Sequence, residues 1–411
     1  MNALWVKISR AKVRVGWIAL LAGLSAAAWL GARAQDAPAP ANNGIVTSEG
    51  VKYRFAFAGN VAQVPVENVS GRLLMPVRVN TGKPGFFLVA TGDPRTVLDP
   101  KPWAPADAAS GTVVDFEHTL FTVPGLEMQV AQIMPAPLVD LSDQVGEPVR
   151  GIIGADVLRQ FVVELEYDRS AIHLYDPSSF QYSGKGIKLP LIMSGGVPRI
   201  RAKIAMLGHG TFEDDFAIQT ESDGGVSILR TYVAAHHLRV KKLKGFSRPE
   251  AGGDKTLFTR IKSVSIGPFN FEEPIVEFPP AGPATEAGGI IGNALLSRFR
   301  VFLDEPHSQV ILETSEYYKN NFEADMSGVV LAAKGANLKT FEVVAVAPHT
   351  PGSEAGLQKG DVIAGIDGQP AADLNLSGVR EMFRVFGHEY HLTVVRGDKT
   401  VEMKLKTKRL V

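Results

Sequence analysis

The strongest constraint on this chain is that part of it occurs twice. Gly151-Ile152-Ile153-Gly154 opens a stretch that returns, at one offset of 138 residues and without gaps, as Gly289-Ile290-Ile291-Gly292. Within it Leu158, Phe161, Val163, Leu165, Ser170 and Leu174 match Leu296, Phe299, Val301, Leu303, Ser308 and Leu312, so 10 of 24 positions are identical. Such a repeat makes two similar bodies the first expectation. Each copy reads as a tight Gly turn, a short helix (Val157 to Gln160; Leu295 to Arg298) and a hairpin of alternating strands. Two β lobes are expected, 50–177 and 186–316, joined across the strand-breaking Ser183-Gly184-Lys185-Gly186.

The surrounding sequence has the same character. Tyr53, Phe55 and Phe57 share one face of a strand, and Phe86-Phe87-Leu88-Val89 is an apolar run short enough to be a strand buried on both faces. A chain of 411 residues, 45% of them hydrophobic, has the material for several cores without staples, which fits a cysteine count of 0. The missing thiols exclude disulfides, thiolate metal sites and cysteine nucleophiles. With 43 basic and 43 acidic residues there is no global field to capture nucleic acid, so no nucleic-acid partner is expected.

The first 34 residues read as an address. Lys7, Arg10, Lys12 and Arg14 precede an apolar run from Val15 to Leu30, and Ala32-Arg33-Ala34 supplies the small residues of a cleavage site. A secretory signal peptide over 1–34 is expected, hence a periplasmic or secreted protein with no span once the signal is removed; an uncleaved anchor is the alternative. Residues 35–49, beginning in Ala, Pro and Asn, read as a linker.

After Asn320 the pattern changes. Strands at Val329 to Ala332 and Phe341 to Val346, a short helix in Thr350 to Leu357, a strand at Val362 to Ile366, a helix from Leu376 to Phe386 and strands at Tyr390 to Arg396 and Thr400 to Leu405 make a compact α+β unit, 327–408.

On these motifs the two lobes resemble the bacterial pepsin/retropepsin-like aspartic peptidases in their single-chain form, and the C-terminal unit resembles a PDZ domain. The implied fold is mainly β: a two-lobe acid-protease fold followed by the α+β domain. In that peptidase fold each lobe supplies a strand ending in Asp-Thr-Gly and, later, an apolar-apolar-Gly turn that cradles it. Ile152-Ile153-Gly154 and Ile290-Ile291-Gly292 match the later element, and Val89-Ala90-Thr91-Gly92 and Ile218-Gln219-Thr220-Glu221 the earlier one. The acids themselves are replaced by Ala90 and Gln219, beside Thr91, Gly92 and Thr220. Aspartic proteolysis needs two carboxylates sharing a proton across a water. A methyl group and an amide cannot do this work, and loss of general acid/base assistance costs about 10²- to 10⁴-fold per group. No aspartic peptidase activity is expected. Asp93 and Glu221, close by in sequence, are the candidates for relocated carboxylates in an active alternative.

The PDZ resemblance implies that Gly335, Ala336, Asn337 and Leu338 face a peptide's terminal carboxylate and that Lys339 to Val343 offer the strand edge beside which the peptide is added. No cofactor is expected, as there is no Gly-rich loop followed by Gly-Lys-Ser/Thr. No metal site is expected either, since His388 and His391 lack a third ligand nearby. The expected partners are extended peptides or envelope proteins; a third reading makes the PDZ unit the only active part of an adaptor.

Overall fold

Two sets of parallel strands set the frame. The computed structural model describes residues 46–48, 50–57, 59–101, 118–250, 254–280 and 287–411. The proposed signal segment and the first part of the linker lie outside them. In lobe 1 the strand Pro84–Val89 runs parallel to Val149–Ile153, with Val89 opposite Ile153. In lobe 2 Gly210–Ile218 runs parallel to Gly289–Ile291, with Ile218 opposite Ile291. Each parallel pair lies inside its own ten-stranded sheet.

The repeated glycines explain themselves in this register. Gly151 stands opposite Phe87 and Gly289 opposite Phe216. A Cβ on Gly151 would lie 2.0 Å from the Phe87 ring, and one on Gly289 2.2 Å from the Phe216 ring. Both phenylalanines are fully buried, so each lobe fills its core by laying a ring over a residue without a side chain. Gly154 and Gly292 follow the same logic against backbone: an added Cβ would come within 2.4 Å of the Arg95 carbonyl carbon and 2.5 Å of the Gly224 oxygen. These two glycines also hold extended backbone at the helix starts. The helices accordingly span Ala155–Leu158 and Asn293–Leu296, two residues earlier than the apolar spacing suggests.

The lobes meet in a six-stranded sheet, ordered Ile187–Pro190, Gln309–Thr314, Phe299–Asp304, Val162–Glu166, Ala171–Tyr175, Val61–Pro65. At its centre Val163 pairs with Leu303, Leu165 with Val301 and Glu164 with Phe302. Since 163 and 301, 164 and 302, and 165 and 303 are equivalent in the repeat, the pairing is self-complementary about a pseudo-two-fold through Glu164 and Phe302, as in an isologous dimer. One apolar core, including Phe161, Val163, Leu165, Phe299, Val301 and Leu303, is continuous across the lobes.

The C-terminal domain has its own core around Phe341, Ile363, Val379, Phe383 and Leu392. Its sheet runs Val329–Lys334, Thr340–Val346, Val362–Ile366, Glu389–Arg396, Lys399–Lys406. Residues 42–411 form one compact unit. Two expectations need correction. The linker does not extend to residue 49, because Val46–Ser48 pairs with Val51–Phe55 and begins the lobe 1 sheet. The helix expected to reach Phe386 is Leu376–Met382, after which the backbone tightens and Val385 and Phe386 are exposed.

Candidate functional site

The two early elements converge at the lobe boundary. The backbone N–H of Ala90 donates to the Ile153 carbonyl and that of Gln219 to the Ile291 carbonyl, both at 3.0 Å, so each apolar-apolar-Gly turn holds its strand end in the same way. Between them Thr91 and Thr220 are interlocked. Thr91 Oγ1 donates to the Ile218 carbonyl (2.6 Å) and Thr220 Oγ1 to the Val89 carbonyl (2.7 Å). Each hydroxyl also accepts the other threonine's backbone N–H, at 3.1 and 3.2 Å. Both threonines are buried, and four hydrogen bonds thus tie lobe to lobe directly under the site. Asn293 braces the second strand end, its Nδ2 donating to the Thr220 carbonyl while its Oδ1 accepts from Tyr167 at 2.6 Å.

Ala90 is buried and carries nothing but a methyl. Gln219 and Glu221 are half-buried. Glu221 turns back across the lobe boundary, and its Oε2 accepts the Gly92 N–H at 3.2 Å. A Cβ on Gly92 would lie 2.2 Å from Glu221 Oε1 and 2.7 Å from Gln219 Nε2, so the carboxyl and the carboxamide meet over the one residue that leaves them room. Burial pushes the Glu221 carboxyl up to about 7; the charge of Asp93 adds to the rise, while the Gly92 N–H and Arg72 oppose it. Asp93 itself accepts the Arg95 N–H at 3.1 Å, as a turn residue does. Arg72 secures the loop, donating to the Glu221 carbonyl at 3.0 Å and pairing with Asp223 at 2.9 Å.

Sequence reasoning named Glu221 and Asp93 but not the Gly92 contact, Arg72 or Asn293. It also passed over Glu164, Glu166 and His173, whose ligand atoms cluster within 4.8 Å on the interlobe sheet. There Arg300 pairs with both glutamates. Burial opposes ionisation of Glu164, yet His173, Tyr175 and Arg300 together hold its pKa below the ordinary range. The cluster already contains its cation and reads as an interlobe ion-pair network.

In the C-terminal domain Gly335, Ala336, Asn337 and Leu338 form the turn between Val329–Lys334 and Thr340–Val346, and Leu338 points into the core. The edge implied by the resemblance is displaced by one strand. Thr340–Val346 is paired on both sides, with Val329–Lys334 and with Val362–Ile366, so Lys339 to Val343 offer no free edge. The edges of this sheet are Val329–Lys334 and Lys399–Lys406, and the one next to the displaced position is Val329–Lys334. The loop entering it is 325–328, where the Asp325 carboxylate accepts the N–H groups of Ser327 (3.0 Å) and Gly328 (2.6 Å).

A profile of the PDZ domain family matches residues 342–396. No curated protein matches the chain in sequence. Among solved structures the chain is similar to an aspartic proteinase from Irpex lacteus, with 16% identity, 63% of this chain and 99% of that one covered, and a TM-score of 0.41. It is also similar to a retropepsin-like aspartic protease from Rickettsia conorii (17% identity, 32% and 95% covered, TM-score 0.24). A third similarity is to the HtrA3 PDZ domain bound to a phage-derived ligand (22%, 20% and 83%, TM-score 0.18). The fold is mainly β, two lobes built on the same repeat followed by a domain that matches the PDZ family.

Proposed function

We propose that this is an exported protein that binds extended peptides or unfolded segments of envelope proteins through the interlobe cleft and the PDZ domain, without aspartic peptidase activity. One observation carries the reading. The Thr91–Thr220 grip and both cradling turns are complete, while the side chains at the strand ends are those of Ala90 and Gln219. A scaffold kept rigid at its floor but without two titratable oxygens there can orient a chain and cannot share a proton across a water. The amide of Gln219 remains as a polar group for a peptide backbone.

The test is binding of a fluorescein-labelled, permanently unfolded protein, reduced and alkylated α-lactalbumin, measured by anisotropy. Saturable binding that persists after deletion of residues 327–411 is expected. Binding that vanishes with the deletion reduces the lobes to a support for a PDZ adaptor, and absence of binding rejects the proposal.

The Glu221 contact favours a second reading, hydrolysis by relocated carboxylates. A carboxyl near neutrality beside Gly92 and within the influence of Asp93 has the ionisation a general base needs. Cleavage of the same unfolded protein, abolished by Glu221→Gln or Asp93→Ala, would establish it.

A further inference from the structure

The PDZ domain is not free of the lobes, and what it touches is the place where a strand-forming ligand would lie. A peptide added to this sheet at the edge strand Val329–Lys334 would lie along the helix Leu376–Met382 that packs on it. Lobe 1 already occupies both walls of that position through its helix Val139–Val145. Lys334, at the end of the edge strand, pairs with Asp143 of the lobe helix at 2.6 Å. Arg380, from the PDZ helix, donates to the Gln144 carbonyl at 2.7 Å and to the Leu331 carbonyl of the edge strand at 3.2 Å, which fills an acceptor that a peptide N–H would use.

The contacts continue at the start of the PDZ helix. A Cβ on Gly146, which ends the lobe helix with φ +86°, would lie 2.6 Å from Leu376 Cβ, so the two helices meet closely there. Next to it the Ser377 hydroxyl accepts the Ser70 N–H at 3.2 Å and lies 3.3 Å from the Ser70 hydroxyl. Ser70 sits at the tip of the hairpin whose next members are Gly71 and Arg72, and Arg72 holds the Glu221 loop at the cleft floor. The N–H groups of the loop entering the edge strand are likewise engaged from within, by Asp325.

We infer that the lobe 1 segment 139–146 is an internal ligand of the PDZ domain, and that a peptide bearing a carboxylate binds there only by displacing it, which releases the Ser70–Arg72 hairpin that borders the interlobe cleft. The inference rests on the peptide-binding reading above and supplies its regulation. The ligand chemistry follows from what the internal segment presents: a carboxylate to Lys334 and a backbone carbonyl to Arg380. A peptide with an extended backbone and a terminal or side-chain carboxylate offers both groups. Docked and released states differ by one ion pair, a few hydrogen bonds and one close helix contact, a gap that ligand binding can close.

The absence of native cysteine makes a clean lock available. In the full chain carrying Ser70→Cys and Ser377→Cys, oxidation ties the domain down and reduction restores the equilibrium, so one polypeptide serves as its own control. The probe is a mixture of random octapeptides with free C termini, and capture is compared in the two redox states. Reduced protein is expected to capture at least about tenfold more than oxidised protein, the factor imposed when the lock cuts the competent population to a tenth or less of its value in the reduced protein. Failure of the disulfide to form, or equal capture in both states, overturns the internal ligand and leaves peptide binding standing. No capture in either state overturns both.

Discussion

Thr220→Val probes the grip on which the cleft depends. Valine keeps the shape and removes one hydroxyl. That hydroxyl donates to the Val89 carbonyl and accepts the Thr91 N–H, and the site is dry, with Thr91 and Thr220 both buried. Each polar group stranded in a buried site costs about 1–3 kcal/mol. Two are stranded here, and the substitution is expected to destabilise the protein by about 2–6 kcal/mol. Thr220→Ser keeps both hydrogen bonds and loses one methyl, worth about 0.8 kcal/mol. Urea unfolding followed by far-ultraviolet circular dichroism separates the two: the valine variant shifts the midpoint several times further than the serine variant, with an unchanged slope. Equal shifts, or a cost below about 1 kcal/mol for valine, would refute the claim that these bonds hold the lobes together.

Glu221 gives a pH signature. Its carboxyl rises from the ordinary 4.5 to about 7 in the folded state, so the native protein binds the extra proton and stability falls as pH rises from about 4.5 to about 7. Glu221→Gln is expected to remove that slope and to stabilise the protein above pH 7 by about 2–3 kcal/mol; parallel stability–pH curves for the two proteins would contradict the burial argument. Gly154→Ala is expected to prevent folding of lobe 1 or to cost more than about 3 kcal/mol, since the new Cβ meets the Arg95 backbone rather than a movable side chain. A thermal midpoint within a few degrees of the parent would show that the turn gives way.

What could be read from the sequence was what is local or repeated. The short apolar run Phe86-Phe87-Leu88-Val89 marks the strand Pro84–Val89, and the offset shared by the two Gly-Ile-Ile-Gly runs announces two lobes before any contact is known. The physical reason for those glycines was not legible, because it lies across the strand pair, in Phe87 and Phe216. The positions of Ala90 and Gln219 followed from motif order. The return of Glu221 onto Gly92 did not, since 129 residues separate the partners and only the replacement of a glycine by glutamate hinted at a remodelled loop. In the PDZ domain Val329–Lys334 and Thr340–Val346 are both apolar runs, and alternation cannot tell an edge strand from an inner one. Pairing of Phe341 with Ile363 decides it. The lobe contact is further still from sequence logic: Asp143 and Lys334 are 191 residues apart.

The most direct measurement of the central proposal is peptide-bond cleavage by the purified full chain, read by mass spectrometry on an unfolded protein substrate from pH 3 to pH 8 alongside its Glu221→Gln variant. With Ala90 and Gln219 at the strand ends, intact substrate is expected throughout, and identical spectra from both proteins. Fragments that appear with the parent chain and disappear with Glu221→Gln would contradict it.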